Sequence, residues 1–140
     1  MRPHPRIIGY LTRALEHELN AVHQYQTRAA LTELWGMPEL AAHYRQEAAQ
    51  ELVHAERLTR QLLLIGIAPT ALSLTAVRPG RDPDEMAQLS AEMEGAAVQL
   101  YDDACQFCRI IRDQVHFELF QSLLQEEYAH FQQYQSSSNH

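Results

Sequence analysis

The sequence predicts an all-α fold, a four-helix bundle with a long crossover between its second and third helices. Three observations predict it. Apolar residues recur in alternating steps of three and four along four long segments, the stripe of a helix packed against others. Gly36, Pro38, Gly66, Pro69, Pro79, Gly80 and Pro83 fall between those segments. Two Glu-x-x-His pairs, Glu51-x-x-His54 and Glu127-x-x-His130, each follow a lone glutamate, Glu18 or Glu94, by 33 positions.

The first helix spans about 6–35, with Ile8, Leu11, Leu15, Glu18, Val22, Tyr25 and Ala29 along its seam. Gly36-Met37-Pro38 ends it, and Pro38 suits the first turn of the next helix. The second spans about 38–65, on Leu40, Tyr44, Glu47, Glu51, His54, Leu58, Leu62 and Ile65, and Gly66 with Pro69 closes it. An irregular stretch, 67–82, can carry the chain from one end of the bundle to the other. The third helix, about 83–112, has the seam Ser90, Glu94, Ala97, Tyr101, Ala104, Cys108 and Ile111. The fourth, about 115–135, has Phe120, Leu123, Glu127, His130 and Tyr134. One domain, 1–140, accommodates all four.

The ionisable residues decide the function. Glu18, Glu51, His54, Glu94, Glu127 and His130 occupy seam positions where Leu or Val is expected, and burying four unpaired carboxylates costs several kcal/mol each. Glu and His at i and i+3 project from one helix face and can grip one ion. A single Glu-x-x-His is a weak pattern, but two trios at a constant offset of 76 residues describe a two-metal site inside the bundle. Tyr25 and Tyr101 follow their lone glutamates by the same seven positions, and each is either a hydrogen-bond donor to a ligand carboxylate or an amphipathic core residue.

Composition excludes several classes. The net charge is −7, with 18 acids against 11 bases, which argues against nucleic acid and anionic membranes. No apolar run approaches a membrane span, and the start of the chain lacks a secretory signal, so a cytoplasmic location is expected. Cys105 and Cys108 sit one helical turn apart and read as small buried hydrophobes rather than as a redox or metal pair. Glu92 and Glu126 point off the seam and are expected in solvent. Glu47, one turn before Glu51, is also expected to reach solvent, the other readings being an added metal ligand or part of an iron path. His17, His23, His43 and His116 are expected at the surface or the core edge, and His4 and His140 as mobile ends.

The residues resemble bacterioferritin over nearly the whole chain and without a gap through the motifs. The resemblance rests on Glu18-Leu19-Asn20-Ala21 with Gln24-Tyr25, Trp35-Gly36, Glu51-x-x-His54-Ala55-Glu56, Pro79-Gly80-Arg81-Asp82 ahead of Glu85-Met86, Glu94, and Glu127-x-x-His130. It implies a ferritin-like bundle whose ferroxidase centre is Glu18, Glu51, His54, Glu94, Glu127 and His130. Tyr25 matches a family tyrosine beside that centre. Three departures qualify it. The family's haem-ligating methionine is replaced by Leu52, so haem is not expected. The cavity-side His and Asp of helix two are Gln46 and Gln50. The chain ends at Ser136-Ser137-Ser138-Asn139-His140 without the family's short fifth helix.

The expected function is a di-iron ferroxidase that oxidises Fe(II) to Fe(III) with O2 or H2O2 for iron storage or detoxification. Glu51 and Glu127 bridge two iron ions per chain, Glu18 with His54 and Glu94 with His130 complete the ends, and manganese or zinc can substitute. Two other readings stand beside it: a non-storing di-metal oxidase or peroxidase of the rubrerythrin-like type, and a haem-free partner subunit in a mixed ferritin cage. A homo-oligomer is expected, at least a dimer and up to a 12- or 24-chain cage.

Overall fold

The computed structural model describes residues 3–138, which form four helices: α1 (Pro5–Leu34), α2 (Pro38–Leu64), α3 (Pro83–Ile111) and α4 (Gln114–Ser138). The helix starts follow from local chemistry. Proline fills the first turn of α1, α2 and α3, where its missing N–H costs nothing. The Asp82 carboxylate accepts from the Glu85 N–H at 2.8 Å at the head of α3, and Asp113 accepts from the His116 N–H at 3.1 Å at the head of α4. His4 is a cap and not a loose end: its Nδ1 accepts from the Arg6 N–H at 3.1 Å, and its ring meets Phe107 edge-on at 5.0 Å. His140 lies outside the described residues. α4 continues past 135 to Ser138, since serines carry only a few tenths of a kcal/mol of helix penalty and no Gly or Pro intervenes.

Three helix ends share one motif. The N–H of Met37, Ile67 and Asp113 reaches back five residues to the carbonyl of Thr32, Leu62 and Cys108, at 2.9, 2.8 and 2.9 Å. The residue before each donor must be left-handed. Gly36 and Gly66 supply that at φ 76° and 81°, but α3 uses Arg112 at φ 59°.

Cross-helix contacts set the topology. Tyr25 of α1 meets Glu94 of α3, and Glu18 meets Tyr101, so numbers rise along one helix as they fall along the other. The same holds between α2 and α4, where His43 meets Tyr134 and Gln61 meets His116. With short turns making α1/α2 and α3/α4 antiparallel hairpins, α2 and α3 run parallel, and the chain must travel the bundle's length between them. The resulting strap is held by one line of α1 residues spaced four apart. Asn20 donates to the Ser73 carbonyl at 3.0 Å and accepts from the Thr75 N–H at 2.6 Å. Gln24 donates to the Ala76 carbonyl and accepts from the Arg78 N–H, both at 3.1 Å, and Arg28 donates to the Arg78 carbonyl at 3.3 Å.

Two apolar clusters fill the bundle. One includes Leu11, Leu15, Leu58, Tyr101, Ala104, Phe120 and Leu123; the other holds Tyr25, Tyr44, Met86, Ala91 and Tyr134. Ile7 is fully buried and Ile8 only half-buried, so the seam of α1 starts one residue before the sequence-based position. Cys105 and Cys108 are free and buried in the first cluster, where burial pushes their thiols up to about 11 and about 12.

Arg112 marks a correctable local cost. A β-carbon in the left-handed region costs about 1–2 kcal/mol, partly offset by the larger unfolded-state entropy of glycine. Arg112→Gly is expected to raise stability by about 0.5–1 kcal/mol, seen as a higher urea midpoint with an unchanged slope. A lower midpoint contradicts this account of the α3–α4 turn.

Candidate metal centre

Between the two apolar clusters lies a belt of charge. Glu18, Glu51, Glu94 and Glu127 are at most 1% exposed, Glu47 and His54 are 4% exposed, and His130 is half-buried. The structure brings all six seam residues together from four helices. His54 Nδ1 stands 2.7 Å from Glu127 Oε1, 3.5 Å from Glu18 Oε2 and 3.8 Å from Glu51 Oε2. His130 Nδ1 stands 3.4 Å from Glu51 Oε1, 3.5 Å from Glu47 Oε2, and 3.9 Å from Glu94 Oε2 and Glu127 Oε1. The two imidazoles are nearly parallel, 6.4 Å apart.

Two groups of donors emerge, each with ligand atoms within 4.8 Å of one another: Glu18, Glu51, His54 and Glu127, and Glu47, Glu51, Glu94 and His130. Glu51 belongs to both. Glu127 leans towards His54, and Glu47 takes a place in the second group. Glu47 therefore does not reach solvent, as its sequence position had indicated; the bundle closes over it.

Ten buried side-chain nitrogen and oxygen atoms among the described residues lack a hydrogen-bond partner, and nine of them belong to these seven residues. Close approaches such as His54 to Glu127 do not have hydrogen-bond geometry. Buried polar atoms are normally satisfied, so nine orphans in one place are atoms shaped for something other than each other. Oxygen and imidazole donors in this mixture suit Fe(II), Mn(II) or Zn(II).

The surrounding residues orient the donors. Tyr25 donates to Glu94 Oε1 at 2.5 Å and Tyr101 donates to Glu18 Oε1 at 2.8 Å, a symmetric cross-brace between α1 and α3. Burial, and then the adjoining carboxylate, raises both phenols well above their usual range, so both stay donors. His54 Nε2 lies 3.1 Å from Glu126 Oε2, which Arg57 holds at 2.8 Å. That contact sets Nε2 against a carboxylate and leaves Nδ1 facing the belt, the arrangement usual for an imidazole that ligates a metal. Glu126 was expected only in solvent; it is half-exposed, and its carboxylate curls back to the histidine. Glu92 is exposed, as are His23 and much of Arg78. His116 is buried, paired with Asp113 at 2.8 Å and Gln61 at 2.9 Å, and His43 bonds Tyr134 at 2.9 Å. His17 is half-buried, and burial lowers its pKa.

Without ions, the belt resolves its charge with protons. Burial, then the neighbouring Glu18 carboxylate, pushes Glu51 up to about 10. Burial pushes Glu127 up to about 8 and, with Glu127 beside it, raises Glu94 well above the carboxylate range. Burial opposes charge on His54, but Glu127, Glu18 and Glu51 outweigh it and lift it to about 12. Burial likewise opposes charge on Glu18, yet the closeness of Glu51 and His54 and the hydrogen bond from Tyr101 hold its carboxyl below the usual range.

These shifts give a signed prediction. Folded Glu51 and Glu127 hold protons that an unfolded Glu, near pKa ~4.3, releases, and His54 does the same above ~6.5. Metal-free stability is therefore expected to fall as pH rises from about 5.5 to about 8.5. Zn(II) is expected to flatten that slope and to release protons on binding. Calorimetry across this range checks both, and a metal-free Tm that climbs with pH contradicts the assignment.

Comparison with known proteins places this geometry in a family. A family model described as a ferritin-like domain matches residues 8–137. The chain is similar to bacterioferritin of Rhodobacter capsulatus, 31% identical over 130 residues that cover 93% of this chain and 81% of the relative. It is 32% identical to bacterioferritin of Streptomyces coelicolor, over 93% of this chain and 78% of the relative. The structure of Rhodobacter capsulatus bacterioferritin, with a metal-free dinuclear site and a haem iron in a crystallographic special position, aligns at a TM-score of 0.94 and 29% identity, covering 99% of this chain and 87% of that one. The chain belongs to the ferritin-like family, in its bacterioferritin group.

Proposed function

We propose that the belt is a di-iron ferroxidase site that takes two Fe(II) ions per chain as substrate and delivers Fe(III) for storage or detoxification. The observation that carries this reading is the set of nine orphaned donor atoms, arranged as two groups that share Glu51. The similarity to bacterioferritins supports iron as the metal.

The side chains divide the work. Glu18 with His54 serves one ion and Glu94 with His130 the other; Glu51 and Glu127 bridge. Tyr25 and Tyr101 fix one oxygen of each terminal glutamate, which leaves the other oxygen facing the belt. Two Fe(II) bring four positive charges, which the four seam carboxylates offset once their protons leave. Oxidation passes two electrons to O2, which departs with two protons as H2O2, or to peroxide, which departs with two protons as water. The two added positive charges are met in part by Glu47, a fifth carboxylate on the His130 side. Haem stays outside this reading, because Leu52, at the position of the family's haem ligand, has no donor atom. Assembly into at least a dimer, and from there into a cage, accords with apolar side chains exposed on α1 and α2, including Leu34, Leu52 and Val53.

Anaerobic Fe(II) titration is expected to saturate near two ions per chain, whereas Glu51→Ala and Glu127→Ala lose paired binding and rapid oxidation. Undiminished binding in both variants sinks the site. Repeated aerobic additions, with native mass measured on the same sample, separate storage from a retained cofactor: loading far beyond two irons per chain means storage, and a plateau near two favours the rubrerythrin-like reading. Glu126→Leu is expected to weaken metal binding about 10- to 100-fold with the fold intact, because His54 loses the carboxylate that orients it. An unchanged zinc affinity in that variant removes Glu126 from the account.

A further inference from the structure

Outside the belt, one buried side-chain atom among the described residues lacks a partner: Arg28 Nε. Arg28 is 2% exposed, and no carboxylate of the described residues pairs with it. Its guanidinium donates to Ser90 Oγ at 3.2 Å, Gln24 Oε1 at 3.4 Å and the Arg78 carbonyl at 3.3 Å, all neutral acceptors, and it lies over the Tyr25 ring at 5.6 Å. A buried charge is normally matched by an opposite one, since its desolvation costs several kcal/mol. Arg28 makes no ion pair among the described residues, and the Glu94 carboxylate favours its charge only from beyond ion-pair distance.

Arg28 lines a cleft of about 710 Å³ between α1, α3 and the strap. Arg13 and Arg78 also border it, against Glu16 and Glu92. Arg13 turns its guanidinium to the Tyr10 ring at 4.7 Å and the Gly9 carbonyl at 3.4 Å, so Arg28 in the floor and Arg78 on the strap are the guanidiniums left to face the cleft. Glu16 is already engaged with the Ser73 N–H at 3.4 Å. The Arg78 side chain is 72% exposed and its Nη1 is paired with Glu92 at 3.8 Å, a long solvent-exposed ion pair that a better-placed anion would displace. Planar guanidinium forks match tetrahedral oxyanions, and a low-dielectric floor strengthens that attraction.

We propose that this cleft binds a small oxyanion of the phosphate class, either inorganic phosphate or the phosphoryl group of a small metabolite. Arg28 provides the buried charge and Arg78 closes on the ligand from the strap. The proposal is independent of what the metal belt does.

Calorimetric titration of the full-length protein with inorganic phosphate, against chloride at matched ionic strength, tests it. Saturable binding is expected, abolished by Arg28→Met and weakened about tenfold or more by Arg78→Gln, as the loss of a charge-assisted bond requires. Arg28→Met can loosen the strap, so Arg78→Gln, which keeps the backbone bond to Arg28, is the deciding variant if the first does not fold. Glycerol phosphate as a second titrant separates the sources: tighter binding than inorganic phosphate identifies a metabolite, weaker binding the free ion. Absence of saturable binding, or equal affinity in Arg78→Gln, overturns the proposal and leaves Arg28 as a clamp for the strap.

Discussion

The constraint on which the structure depends is the burial of five carboxylates and two imidazoles between two apolar clusters. Nothing in the helices themselves asks for this. Leucine at each seam position would pack more cheaply, and replacing buried ionic groups by apolar ones is often neutral or stabilising. The bundle accepts the belt because protons neutralise it when it is empty, and the proposed ions neutralise it when it is full. Proton and metal are thus rival occupants of the same charge deficit, and pH enters the chemistry through that rivalry.

The architecture serves this constraint from outside. Antiparallel α1 and α3 bring Tyr25 to Glu94 and Tyr101 to Glu18, so the cross-brace exists only in this register. Antiparallel α2 and α4 bring both Glu-x-x-His pairs face to face. That pairing forces the long strap, because α2 and α3 must then run the same way. The strap in turn lies on Asn20, Gln24 and Arg28 of the helix that carries Glu18. Glu126 and Arg57 extend the support to the solvent side of His54.

Much of this was legible in the sequence, for identifiable reasons. Helical periodicity located the seams, and the constant offset picked Glu18, Glu51, His54, Glu94, Glu127 and His130 from the other acids and histidines. What was not legible depended on neighbours that no local pattern reveals. Glu47 shares a stripe with Glu51, but only the closing of the bundle around it shows it to be buried. Glu126 lies off the seam, and its reach back to His54 depends on side-chain conformation and on Arg57. Arg28 shares the buried heptad phase of Ile7, Ala14 and Ala21, but an arginine there gives no sign of where its guanidinium goes, because its partners lie on a strap with no periodicity of its own. The left-handed turn at Arg112 gave no glycine signal.

The central claim is that two ions, held at defined ends, fill this belt. Anomalous diffraction from crystals of the protein loaded anaerobically with Fe(II) tests it most directly. The account predicts two iron peaks per chain, about 3.5–4 Å apart, one between Glu18 and His54 and one between Glu94 and His130, with Glu51 and Glu127 between them. A single peak, or iron bound elsewhere while the belt keeps its protons, would contradict it.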